Sequence, residues 1–123
     1  MLTLLLFFAF NSFGQIGQDR QLADQYLNNA EYEKAAQLYD KLMDKDPYGT
    51  YPQYYRCLLA MKDYSTVEKL TKKMVKKQET NLSYLVDLGY VYAQMNQPEK
   101  AKVQYEKAIK SLTPDQNQVI ILA

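Results

Sequence analysis

Shifting the chain by 66 residues against itself, with no gap, sets Leu22 on Leu88, Tyr26 on Tyr92 and Glu33-Lys34-Ala35 on Glu99-Lys100-Ala101. The same shift sets Tyr39 on Tyr105, Lys41 on Lys107 and Ala23 opposite Gly89. Self-similarity on this scale constrains the fold more than any composition, because a unit of a few dozen residues cannot bury its apolar face alone and must stack on its neighbours. Half the shift predicts a middle copy, and a weaker one is present. Asp63-Tyr64 stands 32 residues after Glu31-Tyr32, and Tyr64, Val67, Thr71 and Met74 follow the spacing of Tyr32, Ala35, Tyr39 and Leu42. Three copies are expected at about residues 16–47, 48–80 and 81–112.

Each copy reads as two helices, so the fold class is all-α. In the first, Leu22, Ala23, Tyr26 and Leu27 recur at steps of three and four and form one apolar stripe. Asn28-Asn29-Ala30 interrupts it. Tyr32, Ala35, Ala36, Tyr39 and Leu42 make a second stripe that ends before Asp46-Pro47. Pro98 opens the second helix of copy three, where a missing N–H costs nothing. Pro52 is expected to shorten the first helix of copy two. Thr113-Pro114-Asp115-Gln116 has the form of a capping box, which predicts a further helix from residue 113 leading into Val119-Ile120-Ile121-Leu122.

These residues resemble the tetratricopeptide repeat. Copy three supplies Leu88-Gly89-Tyr90-Val91-Tyr92, then Glu99-Lys100-Ala101 and Tyr105-Glu106-Lys107-Ala108. Copy one supplies Leu22-Ala23-Asp24-Gln25-Tyr26, then Tyr32-Glu33-Lys34-Ala35-Ala36, Tyr39 and Asp46-Pro47. Copy two departs, with Tyr55 at the small position of its first helix and Val67 at that of its second. The resemblance implies a right-handed superhelical stack of helix-turn-helix units whose first helices line a concave, partner-binding side. Carried over residue by residue, that side holds Arg20, Asp24 and Asn28 from copy one, Arg56 with Ala60 beside it from copy two, and Val86, Tyr90 and Gln94 from copy three. Both Arg residues fall in this set, either as donors to a bound peptide or as local ion pairs such as Arg20 with Asp24. One branch of the family grips acidic chaperone tails from successive first helices. The matching positions here are Arg20, Asp24, Gln53, Ser83 and Asp87, and two carboxylates there argue against such a tail. The resemblance thus implies a non-catalytic scaffold for a protein or peptide.

Composition supports that class by exclusion. The chain has no His, one Cys (Cys57) and four Gly, which leaves little for metal, haem, Ser-His or Cys-His chemistry or a phosphate-cradling loop. Net charge is +1, so bulk charge does not point to nucleic acid. The strongest charge feature is Lys69, Lys72, Lys73, Lys76 and Lys77, all on one face of the second helix of copy two, opposite Leu70 and Met74. Such a stripe could meet anionic lipid or nucleic acid. With no aromatic residue or Arg interleaved to stack on bases, it reads as a solvated face. Tyr26, Tyr39, Tyr64, Tyr92 and Tyr105 have core spacing, whereas Tyr48, Tyr51, Tyr54 and Tyr55 crowd the junction of copies one and two. The close carboxylates Asp44 with Asp46 and Glu31 with Glu33 suit helix ends rather than a closed acid–base pocket. No enzyme, cofactor or metal is expected.

The first fourteen residues differ in kind. Met1 to Gly14 has no charged side chain and holds all four Phe, and the apolar run Leu4 to Phe10 is too short to span a bilayer. It resembles short export signals cleaved before Gln, with Ser12 and Gly14 as the small residues. The expected layout is a signal peptide at 1–14 and a repeat domain at 15–123, in an exported, periplasmic or envelope-associated protein. The apolar Val119–Ala123 stretch lacks the polar face of a terminal repeat, so a longer array and self-association through residues 113–123 are both expectations. Two alternatives belong to other classes: the sensory front end of a membrane-linked signalling protein, and an envelope assembly factor that uses the Lys stripe.

Overall fold

The computed structural model describes the backbone of residues 2–112 and the side chains of residues 14–112. It contains six α-helices and, among the described residues, no strand: α1 (Leu2–Asn28), α2 (Tyr32–Lys45), α3 (Pro47–Ala60), α4 (Tyr64–Lys77), α5 (Leu82–Gln94) and α6 (Pro98–Lys110). The all-α expectation holds. The expected helix from residue 113, the 113–123 contact surface and the side chains of the export segment lie outside the described residues. No described helix is long and apolar enough to cross a membrane.

The helices gather into two compact units, residues 1–63 and 64–123, so the division falls inside the second repeat rather than between repeats. In the first unit α1 packs on α2, and α2 on α3. Its interior consists of Ala23, Ala35, Tyr39, Leu42, Met43, Tyr51, Tyr54, Cys57 and Leu58. In the second unit α5 packs on both α4 and α6. Leu88, Tyr92 and Ala101 form a cluster there, with Val75, Met95 and Tyr105 packed against it.

The repeat is written most clearly in the turns. Ala30, Lys62 and Asn96 each have a left-handed backbone, with φ of 59°, 57° and 59°. They stand 32 and 34 residues apart, so the 66-residue shift is the distance between the outer two. Each turn closes in the same way: the N–H of Glu31, Asp63 and Gln97 donates to the carbonyl of Tyr26, Leu58 and Tyr92 at 2.8, 3.0 and 2.9 Å. This is the left-handed helix stop that glycine usually serves. An L residue in that region costs about 1–2 kcal/mol, and glycine's extra freedom in the unfolded chain returns about 0.5–1 kcal/mol of that on substitution. Lys62→Gly is therefore expected to stabilise the protein by about 0.5–1 kcal/mol. The midpoint of urea unfolding should rise without a change in slope; an unchanged or lower midpoint would show that the Lys62 side chain makes a contact worth more than the strain.

Two expectations need correction. Pro52 does not shorten its helix; α3 runs fourteen residues through it. A proline in a helix interior costs about 3 kcal/mol, yet here it lies on the exposed side of a helix that buries Thr50, Tyr51, Tyr54, Cys57 and Leu58 and starts from a strong cap. Leu22, placed in the apolar stripe of copy one, is 39% exposed. Ala23 beside it is the fully buried residue, because α1 approaches α2 on that edge. The core spacing of the tyrosines holds fully for Tyr39 and Tyr92, while Tyr26, Tyr64 and Tyr105 are half-buried.

Candidate functional site

Arg20, Asp24 and Asn28 line up at four-residue steps on α1 and share an open concavity of about 410 Å³ with Gly17, Gln21 and Gln25. The structure thus brings together the three residues that the sequence assigns to copy one. It also shows what two of them do inside the protein. Arg20 donates from Nη1 to the carbonyl of Gly49 at 2.6 Å, and from Nη2 to Asp46 Oδ2 and Thr50 Oγ1, both at 2.9 Å. Its ion pair is therefore with Asp46 at the head of α3, not with Asp24. Asp24 instead accepts a 2.5 Å hydrogen bond from the hydroxyl of the buried Tyr39.

The sequence explains this local arrangement. Asp46 caps α3, accepting from the Gly49 N–H at 3.1 Å, with Pro47 in the first turn. A Cβ on residue 49 would collide with the Asp46 carboxylate, so only glycine lets that carboxylate cap the helix and meet Arg20 at once. Sequence reasoning missed this clamp because its partners lie 26 to 30 residues from Arg20. The run Asp46-Pro47-Tyr48-Gly49 was the available signal.

The remaining predicted residues fall on two other helices. Arg56, on α3, is exposed and donates to Gln53 Oε1 at 3.2 Å. On α5, Val86 and Tyr90 are 48% and 46% exposed, and Gln94 continues the same four-residue spacing. That row is the outer face of a helix whose other side buries Leu85, Leu88, Val91 and Tyr92. The crowded tyrosines divide as well. Tyr51 and Tyr54 are core residues, with the Tyr54 ring 6.2 Å from Tyr39 and its hydroxyl 3.3 Å from Asp40, whereas Tyr48 is exposed.

All five lysines of the basic stripe are exposed on α4, opposite the buried Val67, Leu70, Thr71 and Met74. One of them is committed. Lys72 Nζ lies 2.8 Å from Glu68 Oε1, which also accepts from the Tyr92 hydroxyl at 3.0 Å. The ammoniums of Lys72 and Lys100 stand 6.0 and 5.6 Å from the Tyr92 ring centre. The Lys72 hydrogen bond holds the Glu68 carboxyl below its ordinary range, and the same bond raises Lys72. This cluster ties α4 to α5 and α6. The single cysteine is buried, donates to the Tyr32 carbonyl at 3.2 Å, and is pushed up in pKa by burial, which suits packing rather than reactivity. Among the described residues no group of three potential ligands could hold a metal ion.

Three helix pairs, each closed by the same left-handed turn, make an all-α helical-repeat fold. The comparisons agree. The tetratricopeptide repeat family matches residues 82–111, which is the third repeat. The structure of PcrH from Pseudomonas aeruginosa superposes with a TM-score of 0.67 at 11% identity, over 83% of this chain and 80% of that one. The type III secretion translocator chaperone SycD of Yersinia enterocolitica gives 0.67 at 16% identity, over 85% and 81%. The first repeat domain of Spaghetti (RPAP3), bound to an HSP90 peptide of sequence SRMEEVD, gives 0.63 at 19% identity, over 78% of each chain. At these identities the likeness is one of fold. No curated protein matches the chain significantly.

Proposed function

We propose that this protein is a non-catalytic scaffold that holds a peptide or protein segment against the outer faces of its first helices. The observation that carries this reading is the row Val86, Tyr90 and Gln94. Two half-exposed apolar side chains and an amide stand in line on a rigid helix. An exposed aromatic anchor beside a polar group is the usual composition of a protein-binding patch. Arg20 is not part of the ligand-facing set, because three internal hydrogen bonds hold its guanidinium. On the first unit, taken by itself, Asn28 of α1 and Arg56 of α3 are exposed polar groups.

The ligand is not a strongly acidic tail. The Spaghetti repeat domain is seen with a peptide carrying two Glu and a terminal Asp. The chain here places Asp24 and Asp87 at the matching first-helix positions, and Arg20 is occupied. The uncharged Met1–Gly14 stretch supports an exported protein, and the partner would then be an envelope or secreted one.

A photo-crosslinking residue placed at Tyr90, compared with one at Val103 on α6, tests the reading, since both positions are about equally exposed. In the native lysate, position 90 is expected to give discrete protein adducts and position 103 none. Equal labelling from both, or adducts from 103 alone, would remove the first-helix face from the proposal.

A further inference from the structure

Apart from Ser65, every exposed residue of α4 is a lysine: Lys69, Lys72, Lys73, Lys76 and Lys77. Their backbone positions span about 12 Å of helix. Lys72 is paired with Glu68, and among the described residues no ion pair neutralises the other four. Like charges three and four residues apart repel on a helix. Lys69 with Lys72 and Lys73, and Lys73 with Lys76 and Lys77, therefore weaken the element that carries them.

The other two repeats supply the comparison. Counted from the turn residues Ala30, Lys62 and Asn96, the five positions are Gln37, Asp40, Lys41, Asp44 and Lys45 on α2. On α6 they are Val103, Glu106, Lys107, Lys110 and Ser111. All ten are exposed, as the lysines of α4 are. Acids and lysines balance on α2, and α6 keeps an acid beside two lysines. The fold thus needs no unbroken lysine face to present these positions to water, and α4 departs from both copies against its own helix stability. The excess extends past α4. Residues 64–112 hold nine Lys, no Arg and five acids, whereas residues 14–63 hold six cations and eight acids. Lys100 of α6 joins the patch, because its ammonium and that of Lys72 stand 5.6 and 6.0 Å from the centre of one ring, Tyr92.

We propose that the lysine face of α4, with Lys100 beside it, is a docking surface for anionic lipid headgroups that draws the second unit onto a negatively charged membrane. A protein partner would meet an apolar centre, and α4 exposes no apolar side chain. Single-stranded nucleic acid would stack its bases on exposed rings, yet Tyr92, the ring between these lysines, is 5% exposed. Lysine is a compact charge on a flexible stem, which suits a fluid array of headgroups that offers no fixed geometry. The contact is peripheral, since no described helix is long and apolar enough to cross a membrane. This face shares no residue with the row Val86, Tyr90 and Gln94, so the two readings stand or fall separately.

The test is co-sedimentation of the full chain with vesicles of phosphatidylcholine, neutral or with about 30% phosphatidylglycerol. The parent is expected to prefer the anionic vesicles and to lose that preference as salt is raised to about 0.5 M. Lys69→Gln/Lys73→Gln/Lys76→Gln should weaken anionic binding by about 100-fold. Lys34→Gln/Lys41→Gln/Lys45→Gln removes the same charge from α2 and should stay within about threefold of the parent. Lys69→Arg/Lys73→Arg/Lys76→Arg keeps the charge and should bind as the parent does. Equal binding of the parent to both kinds of vesicle, equal losses in the two Gln triples, or loss in the Arg triple would each overturn the proposal. So would tighter binding, at equal salt, to a single-stranded oligonucleotide or to polyglutamate than to the vesicles, which would make nucleic acid or an acidic protein the partner.

Discussion

Tyr39→Ala is expected to destabilise the protein by about 3–5 kcal/mol, the range for deleting a fully buried aromatic ring. Tyr39 has no exposed surface, packs near the Tyr54 ring and donates to Asp24, so truncation opens a cavity and leaves a carboxylate without its donor. Tyr39→Phe separates the two effects: the ring stays, and the expected loss is about 1–2 kcal/mol for the hydrogen bond. Urea unfolding followed by circular dichroism measures both. If Tyr39→Ala costs no more than Tyr39→Phe, the ring is not a core element. The phenol also gives a pH signature. Burial first, then the Asp24 hydrogen bond, hold Tyr39 above its ordinary value of 10.0, and burial with Asp40 does the same for Tyr54. A raised phenol means the folded state keeps its proton longer, so stability is complete below pH 10 and falls as the pH rises above it. Tyr39→Phe should flatten that alkaline decline; an unchanged slope would assign it elsewhere.

The second large effect is expected at Gly89. A Cβ built there would meet the Tyr105 ring at 2.5 to 2.8 Å, well inside contact distance, so α5 approaches α6 where only hydrogen fits. Gly89→Tyr should cost about 3 kcal/mol, the upper range for overpacking. The second repeat suggests the rescue. Counting from the turn residues, Gly89 and Tyr105 correspond to Tyr55 and Thr71, a large residue and a small one in exchanged places. The double variant Gly89→Tyr/Tyr105→Thr is expected to recover at least half of the loss, and a double-mutant cycle gives the coupling directly. Additive losses would mean that the two positions are not one packing pair.

That exchange explains how the middle copy could look degenerate in the sequence while folding as its neighbours do. The 66-residue shift was legible because Ala23 with Tyr39 and Gly89 with Tyr105 keep the same sizes on the same sides. Between them the sizes are inverted, and only the spacing survived. The helix at Pro52 was misjudged because a local rule was applied where five buried side chains decide. Tyr51 and Tyr54 were not separable from Tyr48 and Tyr55 by type, since four tyrosines in eight residues hide a period. The α1 and α5 faces were legible as faces. What each side chain does there was not, because hydrogen bonds such as those of Arg20 join residues whose distance along the chain carries no pattern.

The Asp46 carboxylate has a mechanical consequence. It starts α3 through Gly49 and anchors α1 through Arg20, so one charge belongs to two helices. Fraying of the α3 head would therefore also release the contact of Asp46 with Arg20 of α1. Fraying of the α3 head and loss of its contact with α1 are thereby coupled. Local unfolding there should be steeper and rarer than two independent helix ends would give.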